Sequence, residues 1–397
     1  MRFQSYFNTA VKIIQLYDGA VPLQHFLKQY FAQHKKHGSK DRKFITHLCY
    51  TFFRLGKSLS TISTEEKLKL ALFICTNYAG DWSFLFDDEW LQHWSAILEQ
   101  RLAFVQTKFT QFALNNVFPF ETEVSESLNT EAFTKSFFIQ PDVFLRIRPG
   151  YDESVINKLQ QHNVPFNKIE EDCISLSPAA NISDVISIDE EAVIQDYSSQ
   201  QVKSFLALAE DDANRKSKIV NRKLVWDCCA GSGGKSLLAF DVLKHIELTV
   251  SDIRASIIQN LKQRFAKAGI KNYKSFVFDV ARSPFTIHHS LFNLIICDAP
   301  CTGSGTWSRT PEQLYLFKES MIDDYALRQQ KILSNAIQSL NNSSYFLYIT
   351  CSVFKKENEA IATFIQQNFQ LELIKMDLLQ GYTKKADTMF AALFKKP

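Results

Sequence analysis

The sequence predicts an α/β protein in which a helical region and a small α+β segment precede a mostly parallel sheet with helices on both faces. Three successive patterns in the spacing of apolar residues along the 397-residue chain indicate this. Apolar residues recur at helical intervals up to about position 113, form short runs between 137 and 190, and then alternate between strand-like and helix-like segments. We therefore expect three domains, at residues 1–118, 119–190 and 191–397.

The first of these domains is predicted to be entirely helical. Val11 and Ile14, and later Leu48 and Phe52, have the spacing of one helix face. Residues 1–60 contain ten Lys or Arg and two Asp, an excess that fits a face binding nucleic-acid phosphates. A solvated helix surface explains the same excess equally well.

The middle segment combines short strands with one helix. Apolar runs stand at Val143–Ile147, Cys173–Leu176 and Val185–Ile188, and a helical stretch at Glu153–His162. Arg146 and Arg148 alternate with apolar neighbours along the first run, which suits a strand edge that faces RNA.

From about residue 220 the pattern becomes strand, loop and helix in turn, which implies parallel strands joined by crossover helices. Strands are predicted at Leu224–Cys229, Ile246–Ser251, Phe276–Val280, Asn293–Cys297 and Tyr345–Thr350. Helices are predicted at Gly233–Leu243, Ala255–Ala268, Asp323–Leu340 and Asn358–Asn368.

Composition excludes several classes of protein. With 46% hydrophobic and 22% charged residues the chain is neither disordered nor collagen-like, and no apolar run is long enough to span a membrane. Polar residues interrupt the N-terminus where a signal peptide would be apolar, so we expect a cytoplasmic location and no membrane partner. The eight cysteines form no C-x-x-C pair, and the adjacent His288 and His289 are interpreted as a loop, so no metal site is expected.

Glycine is scarce, yet five of the twelve glycines lie in two short loops, at 231–234 and 303–305. The first loop follows a predicted strand and opens a helix. A P-loop would need glycine where Cys229 stands, and a dinucleotide fingerprint would need glycine or alanine at Ser236. The turn that remains suits S-adenosylmethionine, which has no pyrophosphate.

Three aspartates stand at the ends of successive predicted strands: Asp252, Asp279 and Asp298. In an open parallel sheet the carboxyl ends of the strands share one crevice, so the three carboxylates should converge there. Asp252 is placed to bind ribose hydroxyls, and Asp279 to accept from an adenine amine. Each aspartate alone could instead cap a loop.

Two cysteines, Cys301 and Cys351, follow strands expected at the centre of the same sheet. Such a pair suits methylation at C5 of cytosine, because one thiolate that adds to C6 turns C5 into a nucleophile and the second thiol can help release. A nearby carboxyl group assists the addition, and a base must later remove the C5 proton. The spacing does not decide which thiol attacks.

Trp307 and Phe317 fit base stacking or core packing equally well.

Several motifs occur together in the chain. They are Asp227–Lys235, Asp298–Thr306 with Arg309–Glu312, Tyr348–Ser352 with Glu357–Glu359, Gln195–Gln200, and Phe144–Arg148. With them the chain resembles the RsmB/Fmu/Sun family of RNA 5-methylcytosine methyltransferases, its RsmB-type branch in particular. Residues 39–54 resemble the NusB-like RNA-binding domain of that branch. The resemblance implies a Rossmann-like sheet that uses S-adenosylmethionine.

The resemblance also implies roles for individual residues. Cys351 would attack C6, Cys301 would assist elimination, Asp298 would lie between cytosine and methyl donor, and Lys235 would line the pocket. The implied cofactor-binding residues are Cys229, Ala230, Gly231, Ser232, Gly233, Gly234, Lys235, Asp252, Asp279 and Asp298. The family's Ala-Ala-Pro is replaced here by Ala230-Gly231-Ser232.

We therefore expect a monomeric enzyme that methylates C5 of a cytidine in structured RNA, with ribosomal RNA as the first candidate. The same chemistry on transfer RNA is an alternative. A second alternative is a non-catalytic RNA-binding or ribosome-assembly protein with the same fold.

Overall fold

The computed structural model describes residues 2–210, 222–243, 245–285 and 291–397. The described helices are α1 Arg2–Leu16, α2 Leu23–Gln33, α3 Ser39–Phe53, α4 Thr64–Cys75, α5 Asp88–Gln92, α6 Leu98–Lys108, α7 Leu114–Val117, α8 Thr130–Ser136, α9 Asp152–Gln161, α10 Tyr197–Gln201, α11 Lys203–Leu208, α12 Gly234–Val242, α13 Ala255–Lys267, α14 Pro311–Leu316, α15 Met321–Ala336 and α16 Glu359–Phe369. The described strands are β1 Val143–Ile147, β2 Phe166–Lys168, β3 Cys173–Leu176, β4 Ala192–Ile194, β5 Lys223–Asp227, β6 Ile246–Asp252, β7 Tyr273–Val277, β8 Phe292–Asp298, β9 Leu340–Thr350, β10 Glu372–Gln380 and β11 Thr388–Lys395. The predicted fold class is confirmed.

The chain divides into two compact units. One comprises Met1–Thr122, Asn129–Gln140 and Trp307–Glu319, and the other comprises Glu123–Leu128, Pro141–Thr306 and Ser320–Pro397. The first unit is helical, and the second contains both sheets. A stretch from the last third of the sequence therefore belongs to the helical unit.

The helical unit has an aromatic core. Phe3 makes edge-on contacts with Phe44 and Trp82, with ring centroids 5.3 Å apart in both pairs. Trp307 and Phe317 are buried in the same unit with ring centroids 4.8 Å apart, so they pack in its core and do not present faces to a base.

A buried guanidinium joins separate segments of this unit. Arg54, at the end of α3, donates to the carbonyl oxygens of Phe137 at 2.6 Å, Ile139 at 3.1 Å and Ser308 at 3.0 Å. Its other terminal nitrogen donates to the side-chain oxygen of Gln140 at 2.7 Å. One charged side chain thus satisfies the acceptors of chain segments that are far apart in sequence.

The small sheet has the order β2-β3-β1-β4, and the neighbouring strands are antiparallel. The predicted strand Val185–Ile188 is wrong, since that segment contributes a single bridge from Ile188 to Ala192. Asp189 has a φ of 73° and turns the chain there, so the fourth strand begins three residues later, at Ala192.

The two arginines of β1 face the protein interior and not RNA. Arg146 and Arg148 are buried and donate to the Asp241 carboxylate at 2.6 and 2.8 Å. The shared carboxylate balances one of the two buried positive charges, and backbone carbonyls accept further hydrogen bonds from Arg148. The interpretation of these residues as an RNA-facing edge is therefore wrong.

The large sheet has the order β10-β11-β9-β8-β5-β6-β7, and β11 is antiparallel to both of its neighbours. The strand predicted at Phe276–Val280 lies instead at Tyr273–Val277, because Leu248 to Asp252 of β6 pair with those residues. Asp279 was predicted to lie at the end of this strand and instead lies two residues beyond the end of β7.

The interpretation of His288 and His289 as a loop concerns residues outside those described.

Among the described helices, none is both long and apolar enough to cross a bilayer.

Arg54→Met tests the buried guanidinium. We expect a loss of about 3 kcal/mol or more in the free energy of unfolding, because buried carbonyls lose their donor. Urea unfolding followed by circular dichroism measures it. Arg42→Met is the control, since the exposed Arg42 donates to one carbonyl, that of His37, and should change the value by less than about 1 kcal/mol. Equal midpoints for the two variants would contradict this role of Arg54.

Candidate active site

The sulfurs of Cys301 and Cys351 lie 3.2 Å apart. The pairing of β8 with β9 explains this, since Asp298 is opposite Ile349 and both strands run in the same direction. Cys301 follows Asp298 by three residues, and Cys351 follows Ile349 by two. Both thiols are half-buried at the carboxyl edge of the sheet.

Gly305 permits the close approach of the two cysteine loops. Its amide donates to the carbonyl of Cys351 at 2.9 Å. A Cβ at this position would lie 1.9 Å from the carbonyl oxygen of Thr388 in β11. No side chain fits there, so glycine is required in this loop.

A fully buried carboxylate connects the residues that follow the two cysteines. Glu357 accepts from the amide of Thr302 at 2.9 Å, from the Thr302 hydroxyl at 2.6 Å and from the Ser352 hydroxyl at 2.5 Å. The Gln329 amide also donates to it, at 3.0 Å, and to the carbonyl of Pro300. The two loops therefore share one acceptor, which fixes their separation.

Two groups in this network have raised pKa values. Burial raises the pKa of Glu357 above its usual range, although four hydrogen bonds act in the opposite direction. The hydrogen bond to Cys351, and then burial, raise the pKa of Cys301. The raised pKa of Cys301 favours its protonated form.

Lys235 and Asp298 form an ion pair beside these loops. The ammonium of Lys235 lies 3.2 Å from a carboxylate oxygen of Asp298 and donates to the Ser199 hydroxyl at 2.7 Å. The Lys235 side chain is 7% exposed, whereas that of Asp298 is 32% exposed. The carboxylate is thus the accessible member of the pair.

The glycine loop after β5 turns tightly before α12. Gly233 has a φ of 85°, and a Cβ there would lie 2.8 Å from the ring of Phe265 in α13. The amide of Gly231 donates to Asp252 at the end of β6, at 3.1 Å. The loop is thereby held against the neighbouring strand, as expected for a ligand-binding turn.

A cavity of about 340 Å³ opens at this edge of the sheet. It is lined by Cys228, Cys229, Asp252, Ile253, Arg254, Phe278, Asp279, Val280, Ala281, Asp298, Pro300, Arg328 and Ile332. Four of the predicted cofactor residues, Cys229 and the three aspartates, contribute to this wall.

The other predicted site residues do not line the cavity. Among the described residues, the turn from Ala230 to Lys235 and both thiols of the cysteine pair stand outside its lining. Asp298 connects the two regions, because it lines the cavity and also pairs with Lys235.

The sequence analysis did not predict three features of the site. They are the bridging role of Glu357, the contact between Lys235 and Ser199, and the position of Arg328 in the cavity wall. The sequence does contain a signal for a shared acceptor such as Glu357. Cys301 is followed directly by Thr302, and Cys351 by Ser352, so a hydroxyl donor stands next to each thiol. Ser199 and Arg328 are brought to the site by the fold.

Residues 217–394 match the family model described as 16S rRNA methyltransferase RsmB/F. The chain is 29% identical over 199 residues to the ribosomal RNA small subunit methyltransferase B of Xanthomonas campestris, covering 49% of this chain and 43% of that protein. It is 28% identical over 245 residues to the protein of that name from Cronobacter sakazakii, covering 59% and 53%. The chain thus spans about half the length of these curated relatives.

Solved structures share the fold. The crystal structure of PH0851 superposes with a TM-score of 0.70 at 17% identity, covering 98% of each chain. The structure of NSun6 from Pyrococcus horikoshii with SFG has a TM-score of 0.56 at 13% identity, covering 71% of this chain and 96% of that one. At these identities the likeness shows the fold alone.

Glu357→Ala tests whether the buried carboxylate holds the two thiols together. We expect disulfide formation between Cys301 and Cys351 under mild diamide oxidation to slow by about tenfold or more, because the bond forms only at close approach. Glu357→Gln should retain most of the rate, since its amide can donate to the Thr302 and Ser352 hydroxyls after they rotate.

Glu359→Ala is the matched control, because Glu359 accepts from the Ser125 hydroxyl and, among the described residues, no side-chain hydrogen bond joins it to either cysteine loop. Mass spectrometry of quenched samples follows the oxidation. An unchanged rate in folded Glu357→Ala would show that the carboxylate does not set the spacing.

Proposed function

The chain belongs, through residues 217–394, to the RsmB/F methyltransferase family, and from that premise we propose that it methylates C5 of a cytidine in RNA through a covalent adduct with Cys351. One observation carries the proposal, namely the pair of thiols 3.2 Å apart next to an accessible carboxylate. Cytosine C5 chemistry needs an attacking sulfur, a second group that acts at elimination, and a carboxyl near the ring.

Cys351 is the proposed nucleophile. Its sulfur adds to C6 of the cytosine, so that a sulfur–carbon bond forms and C5 gains electron density. The pKa of Cys301 is raised, so its thiol is the poorer nucleophile of the two, and its sulfur lies 3.2 Å from that of Cys351. This supports Cys351 as the nucleophile and Cys301 as its partner.

Cys301 is the proposed group at the elimination step. After methyl transfer the proton on C5 must be removed, and the bond between C6 and Cys351 then breaks to regenerate the thiolate. The Cys301 sulfur lies 3.2 Å from the sulfur that is released. It acts either as the base, after its own proton has passed to solvent, or as the group that assists release.

Asp298 is proposed to bind the cytosine ring near N3. It is the exposed member of its ion pair, and the Lys235 ammonium limits its freedom to turn away. Lys235 is in turn fixed by Ser199, which also accepts from Gln195 at 3.0 Å. The carboxyl is thus oriented before the base arrives, which lowers the barrier to addition.

The cavity fits S-adenosylmethionine as the methyl donor. Asp252 at a strand end suits ribose hydroxyls, Asp279 suits the adenine amine, and a Cβ on Gly231 or Gly234 would meet nothing within 4 Å, so the turn is open to a ligand. When bound, this cofactor supplies an electrophilic methyl group on sulfur. The solved protein with SFG, an analogue of this cofactor, has the same fold.

The proposed substrate is ribosomal RNA, as the names of the curated relatives suggest. A paired base hides C5 and C6, so the cytidine must be unpaired or turned out of its stack. The proposed RNA-binding regions are the helical segment 1–118, with its basic N-terminal part, and the segment 119–190, which precede a catalytic domain at 191–397.

Transfer of tritium from labelled S-adenosylmethionine to RNA tests the function. Bisulfite sequencing of ribosomal and transfer RNA, from cells with and without the gene, identifies the modified cytidine. We expect label in RNA and one site in ribosomal RNA that loses protection without the gene. RNA that gains no tritium would contradict catalysis. A modified site that is confined to transfer RNA would contradict the proposed substrate.

The two thiols have separable roles. Cys351→Ala should abolish covalent trapping of RNA on denaturing gels, because no sulfur attacks C6. Cys301→Ala should allow the adduct to form and accumulate, since elimination is impaired. The reverse pattern would overturn the assignment of roles.

A further inference from the structure

Three further cysteines form a second thiol cluster in the same unit. The sulfurs of Cys228, Cys229 and Cys297 all lie within 4.8 Å of one another. Cys228 and Cys297 are buried, whereas Cys229 is half-buried. The proposed methylation does not use the sulfur of any of the three.

Sheet pairing creates this cluster. Asp227 of β5 is opposite Ile296 of β8, and the amide of Cys228 donates to the carbonyl of Ile296 at 2.9 Å. The next positions along the two parallel strands are Cys228 and Cys297, so their side chains meet across adjacent strands. Cys229 is added by the turn that follows β5.

The spacing is close to that of a metal site. Zinc–sulfur bonds of about 2.3 Å in tetrahedral geometry place the sulfurs about 3.8 Å apart, so movements of about 1 Å or less would close the site. Rotation of side chains can supply such movements in a half-buried turn. Three thiolates are also the ligands that soft metal ions prefer.

An ion has a route to the cluster from solvent. Cys228 and Cys229 line the cavity described above, which opens to solvent. Asp252, Asp279 and Asp298 line the same cavity, and each forms an ion pair, with Arg254, Arg282 and Lys235 respectively. Water or one of these carboxylates can complete the coordination.

We propose that Cys228, Cys229 and Cys297 bind one thiophilic d10 metal ion, Zn(II) or Cu(I), in the wall of this cavity. Because two of the ligands belong to the cavity wall, the bound metal should weaken the binding of a cavity ligand such as S-adenosylmethionine. The spacing of the cysteines along the chain does not predict the site, since Cys297 belongs to a different strand. The proposal does not depend on the proposed function.

The test measures metal binding by calorimetry and by competition with a chromophoric chelator, with Zn(II) and Cu(I) as separate probes. The full chain carries Cys301→Ser and Cys351→Ser, because their sulfurs, 3.2 Å apart, could themselves bind metal. We expect one equivalent of Zn(II) or Cu(I) per chain. When Cys297→Ser is added to this protein, metal binding should weaken by about 100-fold or more. Residues that only orient metal ligands typically contribute about 10–100-fold, so a larger loss indicates a ligand.

Cys173→Ser is the control, since Cys173 is buried in the small sheet away from the cluster. Cys229→Ser repeats the test at the half-buried position, in case Cys297→Ser disturbs folding. Co(II) substitution adds a spectroscopic measure, because thiolate-to-cobalt charge-transfer bands require sulfur ligands. Absence of stoichiometric binding of either ion, or equal affinity in the folded cluster variants and the control, would overturn the proposal.

Discussion

The parallel pairing of β8 with β9 is the constraint on which the site depends. It sets Asp298 opposite Ile349, and the two short loops that follow then bring their sulfurs to 3.2 Å. Pairing of β5 with β8 places the glycine turn beside the same edge. Since parallel strands end on one side, a single register decides where the acid and both thiols stand.

A fixed register would be ineffective if the loops beyond the strands were free to move. Glu357 restrains them, at the expense of burying a carboxylate that would be better solvated outside. Donors from Thr302, Ser352 and Gln329 offset that penalty, and the raised pKa shows that burial still dominates. Such a network is rigid because every member would lose a partner if one loop moved.

How much of this the sequence predicts depends on whether the signal is local. Strand and helix alternation predicted the sheet, and the glycine loop and Asp298 were placed correctly at strand ends. The edge strand β7 was misplaced because its residues are only partly buried and have no clear apolar alternation. The burial of Arg146 could not be predicted, since its partner Asp241 is 95 positions away. Glu357 likewise acquires its role only when two loops meet.

The most direct test of the account is to trap the adduct on RNA that contains 5-fluorocytidine and map the modified peptide by tandem mass spectrometry. Fluorine at C5 cannot leave as a proton, so elimination stops after methyl transfer. The account predicts a nucleotide that carries one added methyl group and is bound to the peptide containing Cys351. Attachment at Cys301, or no covalent product from folded protein with cofactor and RNA present, would contradict it.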